Sequence, residues 1–236
     1  MTTNTSNTLS IGVIGLGAMG KGMASSLRRA GHHVSVCDVR FDAAEAFAKE
    51  GGTAYKTPAD LAKQVDIIVS VVVNADQTEQ VLFGEHGAAA HLKAGSLFIM
   101  CSTVDPNWSV ALEKRLNEMG LLYLDAPISG GAAKAASGQM TMMTSGQDAA
   151  YAKAGNALES MAANVYKLGD RAGYGSKVKI INQLLAGVHI AAAAEAMALG
   201  LREGVAADAL YEVITNSAGN SWMFENRMAH VLKGDY

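Results

Sequence analysis

The sequence is poor in several things, and each shortage excludes a class. Cysteine occurs twice in 236 residues, at Cys37 and Cys101. Neither a disulfide framework nor a Cys-based metal site has that spacing, so the pair fits a reducing compartment. Both read as small buried hydrophobes. Only 3 prolines leave long stretches free to run as helix. Basic excess is absent: 19 Lys and Arg stand against 22 Asp and Glu, a net charge of −3. Nucleic-acid-binding domains usually carry the opposite balance, and the cations here are scattered. There is no H-E-x-x-H or similar metal spacing, no P-loop and no nucleophile elbow. The opening "MTTNTSNT" lacks the apolar core of a signal peptide and reads as a frayed polar tail. The most apolar helical run, Ile190–Leu201, is mostly alanine and contains Glu195, which argues against a membrane span. The expectation is a cytoplasmic protein with no membrane partner, no nucleic-acid partner and no metal.

What is present is a half-hydrophobic chain with 25 glycines, enough to bury a sizeable core in one large or two smaller domains. Apolar strands alternate with helical patterns. "LSIGVIGLG" is a strand, and "AMGKGMASSLRRAG" a helix stopped by Gly31. "HVSVCD" is a second strand, followed by the helix "FDAAEAFAKEG". In "TPADLAKQ", Thr57 is placed as an N-cap with Pro58 at the first helical position. "VDIIVSVVV" has the continuous aliphatic character of a strand buried on both faces. The strands "SLFIMCST", "LLYLDAPISGG", "GQMTMMTSG" and "NVYKLG" continue the series, with helices over "DQTEQVLFG", "PNWSVALEKRLNEMG" and "DAAYAKAGNALESMA". This predicts a doubly wound, mainly parallel α/β sheet of Rossmann type up to about Leu168.

The pattern then changes. No strand signal or proline interrupts Gly175 to Gly204. One helix of about 30 residues would be roughly 45 Å long, enough to leave the first domain and found a second. "DALYEVITNS" and "SWMFENRMAHVL" add helices. The expected division is a nucleotide-binding domain over 1–170 and an all-helical domain over 171–236.

"GLGAMG" sets Gly15, Gly17 and Gly20 in G-x-G-x-x-G spacing, with Leu16, Ala18 and Met19 between them. Alone this is weak; between a strand and a helix it marks a dinucleotide site. Gly15 permits the tight turn, Gly17 a close approach of pyrophosphate, and Gly20 tight helix–strand packing. The helix N-terminus then offers free N–H groups to the phosphates. Asp38 follows Gly20 by 18 residues, at the end of the second strand. A carboxylate there accepts hydrogen bonds from the adenosine ribose and repels a 2′-phosphate, so NAD is expected over NADP. Arg40, two residues on, keeps an NADP reading open.

"DAPISGG" ends a strand at what should be the sheet's carboxyl edge. Consecutive N–H groups of Ser129, Gly130 and Gly131, with the Ser129 hydroxyl, would form an anion nest suited to a substrate carboxylate; a purely structural bend is the alternative. In "CSTVDP", Ser102 and Thr103 could bond a nicotinamide or substrate, or instead cap the next helix. In "GYGSKVKIINQ", helical geometry puts Lys179, Asn182 and Gln183 within about 100° of one another, while Lys177 lies about 160° away from Lys179. The two lysines cannot both serve one site. Partial burial would lower the pKa of Lys179 and suit it to proton transfer; a solvated first-turn lysine is the plain alternative. His189, ten residues on and about 15 Å along the helix, is too far to share its reacting atom.

Taken together, "GVIGLGAMGKGMASSL", "STVDP", "DAPISGG" and "GYGSKVKIINQ" resemble the β-hydroxyacid dehydrogenase family, which includes 3-hydroxyisobutyrate dehydrogenase and tartronate semialdehyde reductase. The likeness covers essentially the whole chain. It implies that Lys179 is the catalytic acid/base, that Asn182 and Gln183 meet the substrate, and that Ser129, Gly130 and Gly131 hold its carboxylate. It further implies that Gly15, Gly17, Gly20, Asp38 and Thr103 bind NAD. Asn74 follows "VVV" in a loop that often borders the cofactor in this family, although many relatives have Leu-Pro there. The implied reaction is NAD-dependent oxidation of a short hydroxy acid, with L-threonate the expected substrate on overall likeness. Semialdehyde reduction, 3-hydroxyisobutyrate oxidation and a non-catalytic dinucleotide-binding scaffold are the alternatives. Family members continue past "LKGDY" with further helices, so the resemblance also implies a longer parent chain. The alanine-rich stripe Ala191–Ala198 predicts a homo-oligomer through close helix approach.

Overall fold

A computed structural model describes residues 8–235. The opening polar tail lies almost wholly outside the described residues. The chain divides into two compact units, Met1–Lys179 and Ile180–Tyr236.

In the first unit, β1 (Ser10–Ile14) leads through the glycine turn into α1 (Gly20–Arg29), and β2 (His33–Cys37) into α2 (Phe41–Lys49). A two-residue strand β3 (Thr53–Ala54), which the sequence pattern does not signal, precedes α3 (Pro58–Ala62). Thr57 caps α3 by accepting from the Asp60 N–H at 3.1 Å, with Pro58 at its first position. β4 (Ile67–Ser70), α4 (Ala75–Phe83), β5 (Leu97–Met100), α5 (Pro106–Glu118) and β6 (Leu122–Asp125) follow. These six strands form one sheet in the order β3-β2-β1-β4-β5-β6, and every pairing is parallel.

Period-two alternation along the strands splits the core between the two faces. Ile11, Val13, Ile67, Val69, Leu97, Ile99 and Leu124 pack with Met23, Ala24 and Leu27 of α1. Ile14, Ile68, Phe98, Met100 and Tyr123 pack with Leu61, Leu82, Leu112 and Leu116 from α3, α4 and α5. Cys37 and Cys101 are buried and unpaired; burial pushes their thiols up to about 11 and about 12.

The sequence pattern predicts that the strands after Asp125 continue this sheet; they do not. β7 (Ile128–Ser129), β8 (Met140–Thr144) and β9 (Ala162–Lys167) form a second, three-stranded sheet, with β7 antiparallel to β8. A short helix α6 (Gly131–Ser137) lies between β7 and β8. The single helix expected over "DAAYAKAGNALESMA" is two, α7 (Asp148–Ala154) and α8 (Ala157–Met161), because Gly155 takes φ +53° between them. Then α9 (Tyr174–Arg202) begins, a single helix of 29 residues.

The second unit holds the rest of α9, with α10 (Ala207–Thr215) and α11 (Trp222–Lys233). Ala193, Met197, Phe224 and Met228 form its small core. Leu210 packs where a side chain on Gly200 would sit, so α10 approaches α9 closely. By length and composition alone α9 is apolar enough to cross a membrane, an 18-residue window of it having a mean hydropathy of 1.7.

Candidate active site

Strand register gathers the site. Ile14 pairs with Cys37 and Ser70, Ser70 with Met100, and Met100 with Asp125. All five strands therefore end in line. The loops that follow, carrying Gly15–Gly20, Asp38, Asn74, Cys101–Thr103 and Ser129–Gly131, emerge at one carboxyl edge. Strand order reverses between β1's two neighbours, the crevice where doubly wound sheets bind ligands.

The glycine turn is built as its spacing implies. Gly15 holds φ +93°, and a side chain there would come within 2.7 Å of the Val71 carbonyl oxygen. A side chain on Gly20 would fall on the Gly15 carbonyl oxygen, so its absence lets α1 start close behind the turn. At Gly17 nothing lies within 4 Å of the place a side-chain carbon would take, so the space before it is open. Ala18 is exposed and Met19 packs against the core. No side chain caps α1 at Met19, which leaves its first N–H groups for a phosphate. Asp38 closes the far side. Its Oδ2 accepts from the Leu16 N–H at 2.6 Å and its Oδ1 from the Arg40 N–H at 2.8 Å. Arg40 is exposed, with its Nε 4.0 Å from Asp38 Oδ1. An open glycine, an uncapped helix start and a carboxylate on the neighbouring strand fit a dinucleotide.

The other edge loops sort differently. Asn74 caps α4 by accepting from the Gln77 N–H at 2.9 Å, so its side-chain oxygen already has a structural task. Ser102 is buried, donating to the Val72 carbonyl at 2.7 Å and bonding the Thr78 hydroxyl. Neither Ser102 nor Thr103 caps α5; Asp105 does, accepting from Asn107 and Trp108. Thr103 is exposed, and among the described residues its hydroxyl has no side-chain hydrogen bond.

The "DAPISGG" turn and the start of α9 meet. Gly130 and Gly131 take φ +140° and +76°, values that favour glycine. Ser129 is half-buried and pairs with Thr141. Lys179 is only 7% exposed, and its Nζ donates to the Ile128 carbonyl at 2.7 Å, one residue before Ser129. Burial lowers the Lys179 pKa. A buried amine that titrates below its ordinary range, beside two positive-φ glycines, can hold or release a proton next to a bound anion.

Lys177 is exposed and stands 5.0 Å from the Tyr174 ring centroid. Asn182 and Gln183 belong to the second unit, where the Asn182 amide bonds the Gln183 side chain at 3.4 Å. Sequence reasoning missed Asp125 and Ser176. Asp125 is fully buried, and its carboxylate receives four hydrogen bonds, three of them from the first turn of α9 and its approach. The available signal was an acidic residue ending an otherwise buried strand.

Residues 10–169 match the family model of the NAD-binding domain of 6-phosphogluconate dehydrogenase, and residues 173–236 match the NAD-binding model of NADP-dependent 3-hydroxyisobutyrate dehydrogenase. The chain belongs to the 3-hydroxyisobutyrate dehydrogenase-like family of NAD-binding hydroxyacid dehydrogenases. It is 63% identical to L-threonate dehydrogenase of Cupriavidus necator over 226 residues, covering 96% of this chain and 76% of that protein. It is 48% identical to L-threonate dehydrogenase of Escherichia coli K12, over 96% of this chain and 75% of the relative. A crystal structure described as 3-hydroxyisobutyrate dehydrogenase from Salmonella typhimurium superposes with a TM-score of 0.92 at 48% identity, covering 97% of this chain and 80% of that one. The chain thus spans about three-quarters of the length of these relatives.

Proposed function

We propose that the protein oxidises L-threonate to its 2-oxo acid with NAD⁺. The observation that carries the chemistry is Lys179: a buried amine, 2.7 Å from the Ile128 carbonyl at the mouth of the Ser129–Gly131 turn. The choice of substrate is supported by the 63% and 48% identical relatives named as L-threonate dehydrogenases.

In this reading Gly15–Gly20 and the start of α1 take the pyrophosphate, Asp38 the adenosine ribose, and Thr103 and the Asn74 loop border the nicotinamide. When bound, NAD⁺ supplies the hydride acceptor. Ser129, Gly130 and Gly131 hold the substrate carboxylate through their N–H groups. Lys179, neutral, takes the hydroxyl proton as the carbonyl forms; in reverse it returns that proton. Asn182 and Gln183 orient the substrate hydroxyls. Residues 1–170 act as the nucleotide-binding domain and 171–236 as the helical domain. The protein works in the cytoplasm as a homo-oligomer. That assembly is supported by the alanine-rich stripe Ala191–Ala198 of α9, whose small side chains let a second helix approach closely.

The test is a substrate panel on the full-length protein, with NAD⁺ and NADP⁺ compared. L-Threonate with NAD⁺ should give the highest kcat/KM. Preference for 3-hydroxyisobutyrate, or for reduction of tartronate or succinate semialdehyde, would reassign the substrate within the family. NAD⁺ binding with no turnover on any member would leave a scaffold.

A further inference from the structure

Gly173 to Ser176 is held against the rest of the first unit by a cluster of buried polar groups. The Asp125 Oδ2 accepts from the Gly173 N–H at 2.9 Å and the Ser176 N–H at 2.9 Å. Its Oδ1 accepts from the Ser176 hydroxyl at 2.7 Å. The Ser145 hydroxyl, fully buried, donates to Asp125 Oδ2 at 3.2 Å and accepts from the Gly175 N–H at 2.9 Å. Glu113 takes the neighbouring Ala172 N–H at 3.1 Å. So three N–H groups at the head of α9, otherwise orphans of a helix start, and the Ala172 N–H just before them end on two carboxylates and a hydroxyl. The chain can come this close because of its glycines. A side chain on Gly175 would fall on the Met143 carbonyl oxygen and lie 3.0 Å from that of Asp125, and Gly173 holds φ +99°.

Lys179 is three residues beyond Ser176, one helical turn along. Asp125 is three residues before Ile128, the carbonyl that Lys179 reaches. The two ends of the short stretch Asp125–Ile128 therefore grip two successive turns of α9. The carboxylate fixes the rotation and height of the first turn, and the second turn delivers the amine. A rotation of the helix by one residue, about 100°, would carry Lys179 off the Ile128 carbonyl.

We propose that Asp125 is a positioning residue for the reaction: its carboxylate sets the start of α9 so that the Lys179 amine is placed beside the Ser129–Gly131 turn. This rests on the reading of Lys179 as the acid/base. Asp125 acts through geometry: its carboxylate bonds Ser145, Gly173 and Ser176, while the Lys179 amine bonds the Ile128 carbonyl instead. Asparagine, which keeps a carbonyl oxygen for the N–H donors and an amide that the Ser176 hydroxyl can accept from, should therefore substitute.

The experiment compares Asp125→Asn, Asp125→Ala, Ser176→Ala and Lys179→Ala in the full-length protein. It reads kcat and KM for L-threonate and NAD⁺, the pH profile of kcat, and the pH dependence of Lys179 acetylation by mass spectrometry. Asp125→Ala should lower kcat at least tenfold with NAD⁺ KM unchanged. Both the kcat profile and the acetylation midpoint of Lys179 should move to higher pH, as the released amine becomes better hydrated. Asp125→Asn should stay within about threefold of wild-type kcat. Ser176→Ala removes a single hydroxyl, and carries the test if Asp125→Ala does not fold; a severalfold loss of kcat with the same alkaline movement is expected. Wild-type kcat and an unmoved Lys179 midpoint in folded Asp125→Ala, or in Ser176→Ala when Asp125→Ala does not fold, overturn the inference. Full turnover in Lys179→Ala instead overturns the acid/base reading beneath it, so the two failures are distinguishable.

Discussion

The Leu16 backbone N–H donates to the Asp38 carboxylate at 2.6 Å, so one side chain at the end of β2 ties down the glycine turn at the end of β1. Asp38 thus has two tasks. One is to hold the turn; the other, as proposed, is to accept from the ribose hydroxyls and repel a 2′-phosphate. Asparagine keeps an oxygen for Leu16 but removes the negative charge. Asp38→Asn should therefore lower the ratio of kcat/KM for NAD⁺ over NADP⁺ by about tenfold or more, roughly 1.4 kcal/mol. Arg40, exposed and 4.0 Å from the Asp38 carboxylate, loses that charge partner in the variant and can turn to the added phosphate. Steady-state kinetics with both cofactors checks this, and an unchanged ratio removes Asp38 from the discrimination.

Gly17 and Gly20 should part company when each is replaced by alanine. At Gly20 the methyl would strike the Gly15 carbonyl oxygen, so the turn itself must give. Gly20→Ala should lower the melting temperature and NAD⁺ affinity together. At Gly17 nothing lies within 4 Å of the added carbon, so the fold accepts it. The methyl instead occupies the ground a pyrophosphate must approach. Gly17→Ala should melt within a few degrees of wild type yet bind NAD⁺ at least about tenfold more weakly. Thermal melts paired with cofactor titration separate the two; equal NAD⁺ binding in Gly17→Ala would move the phosphate elsewhere.

This contrast shows why the sequence was legible in some places and not in others. G-x-G-x-x-G is a local constraint, since its residues collide or fit with neighbours a few positions away. The aliphatic run "VDIIVSVVV" was equally plain as a buried strand, but β4 ends at Ser70 and Val73 is 75% exposed. Composition does not say where a strand loses its neighbours. The sequence pattern assigns no element to "GAAKAAS", although its alanines and lysine favour a helix and Gly138 ends it as a left-handed cap. This helix, α6, is held by tertiary contact, with the Ser26 hydroxyl donating to the Ala135 carbonyl at 2.9 Å across 109 positions. The role of Asp125 was hidden in the same way, its donors lying 48 and 51 positions away. Helical periodicity separated Lys179 from Lys177. Burial of Lys179 depended on contacts with β7 that periodicity does not contain.

Glu113 should make stability fall as pH rises. Burial raises its pKa above the usual 4.5, against the pull of the Ala172 N–H and Arg171. Its second oxygen is buried without a partner among the described residues. For a carboxyl whose folded pKa is raised, the folded state binds more protons in the window between the unfolded and folded values. Its stabilising contribution is full below about 4.5 and is lost as pH climbs through the folded pKa. Asp125 titrates in the same direction, which adds to the slope. Glu113→Gln cannot ionise, so its urea midpoint should gain on wild type from about pH 4 to about pH 7. Parallel midpoints across that range would show that Glu113 has the same pKa in the folded and unfolded states.

Lys179 should reveal itself by opposite effects on stability and turnover. Its pKa is lowered from 10.5 by burial, so the folded state prefers the neutral amine. Below the folded pKa the protein bears the full cost of a buried ammonium, and that cost is relieved as pH rises through the folded pKa toward 10.5. Lys179→Met fills similar space without a charge and should raise the melting temperature at neutral pH. The same change removes the proton acceptor and should cut turnover about 10²–10⁴-fold. Lys179→Arg should be as inactive, because a guanidinium does not deprotonate in a protein. In the wild type, oxidation should accelerate with pH up to a limb below 10.5, where the neutral amine predominates, and carbonyl reduction should slow across the same limb. A Lys179→Met protein that is stabilised but fully active would make the lysine a buried curiosity of the fold. One that is stabilised and inactive would mean that the chain tolerates an unfavourable burial because the reaction needs the amine there.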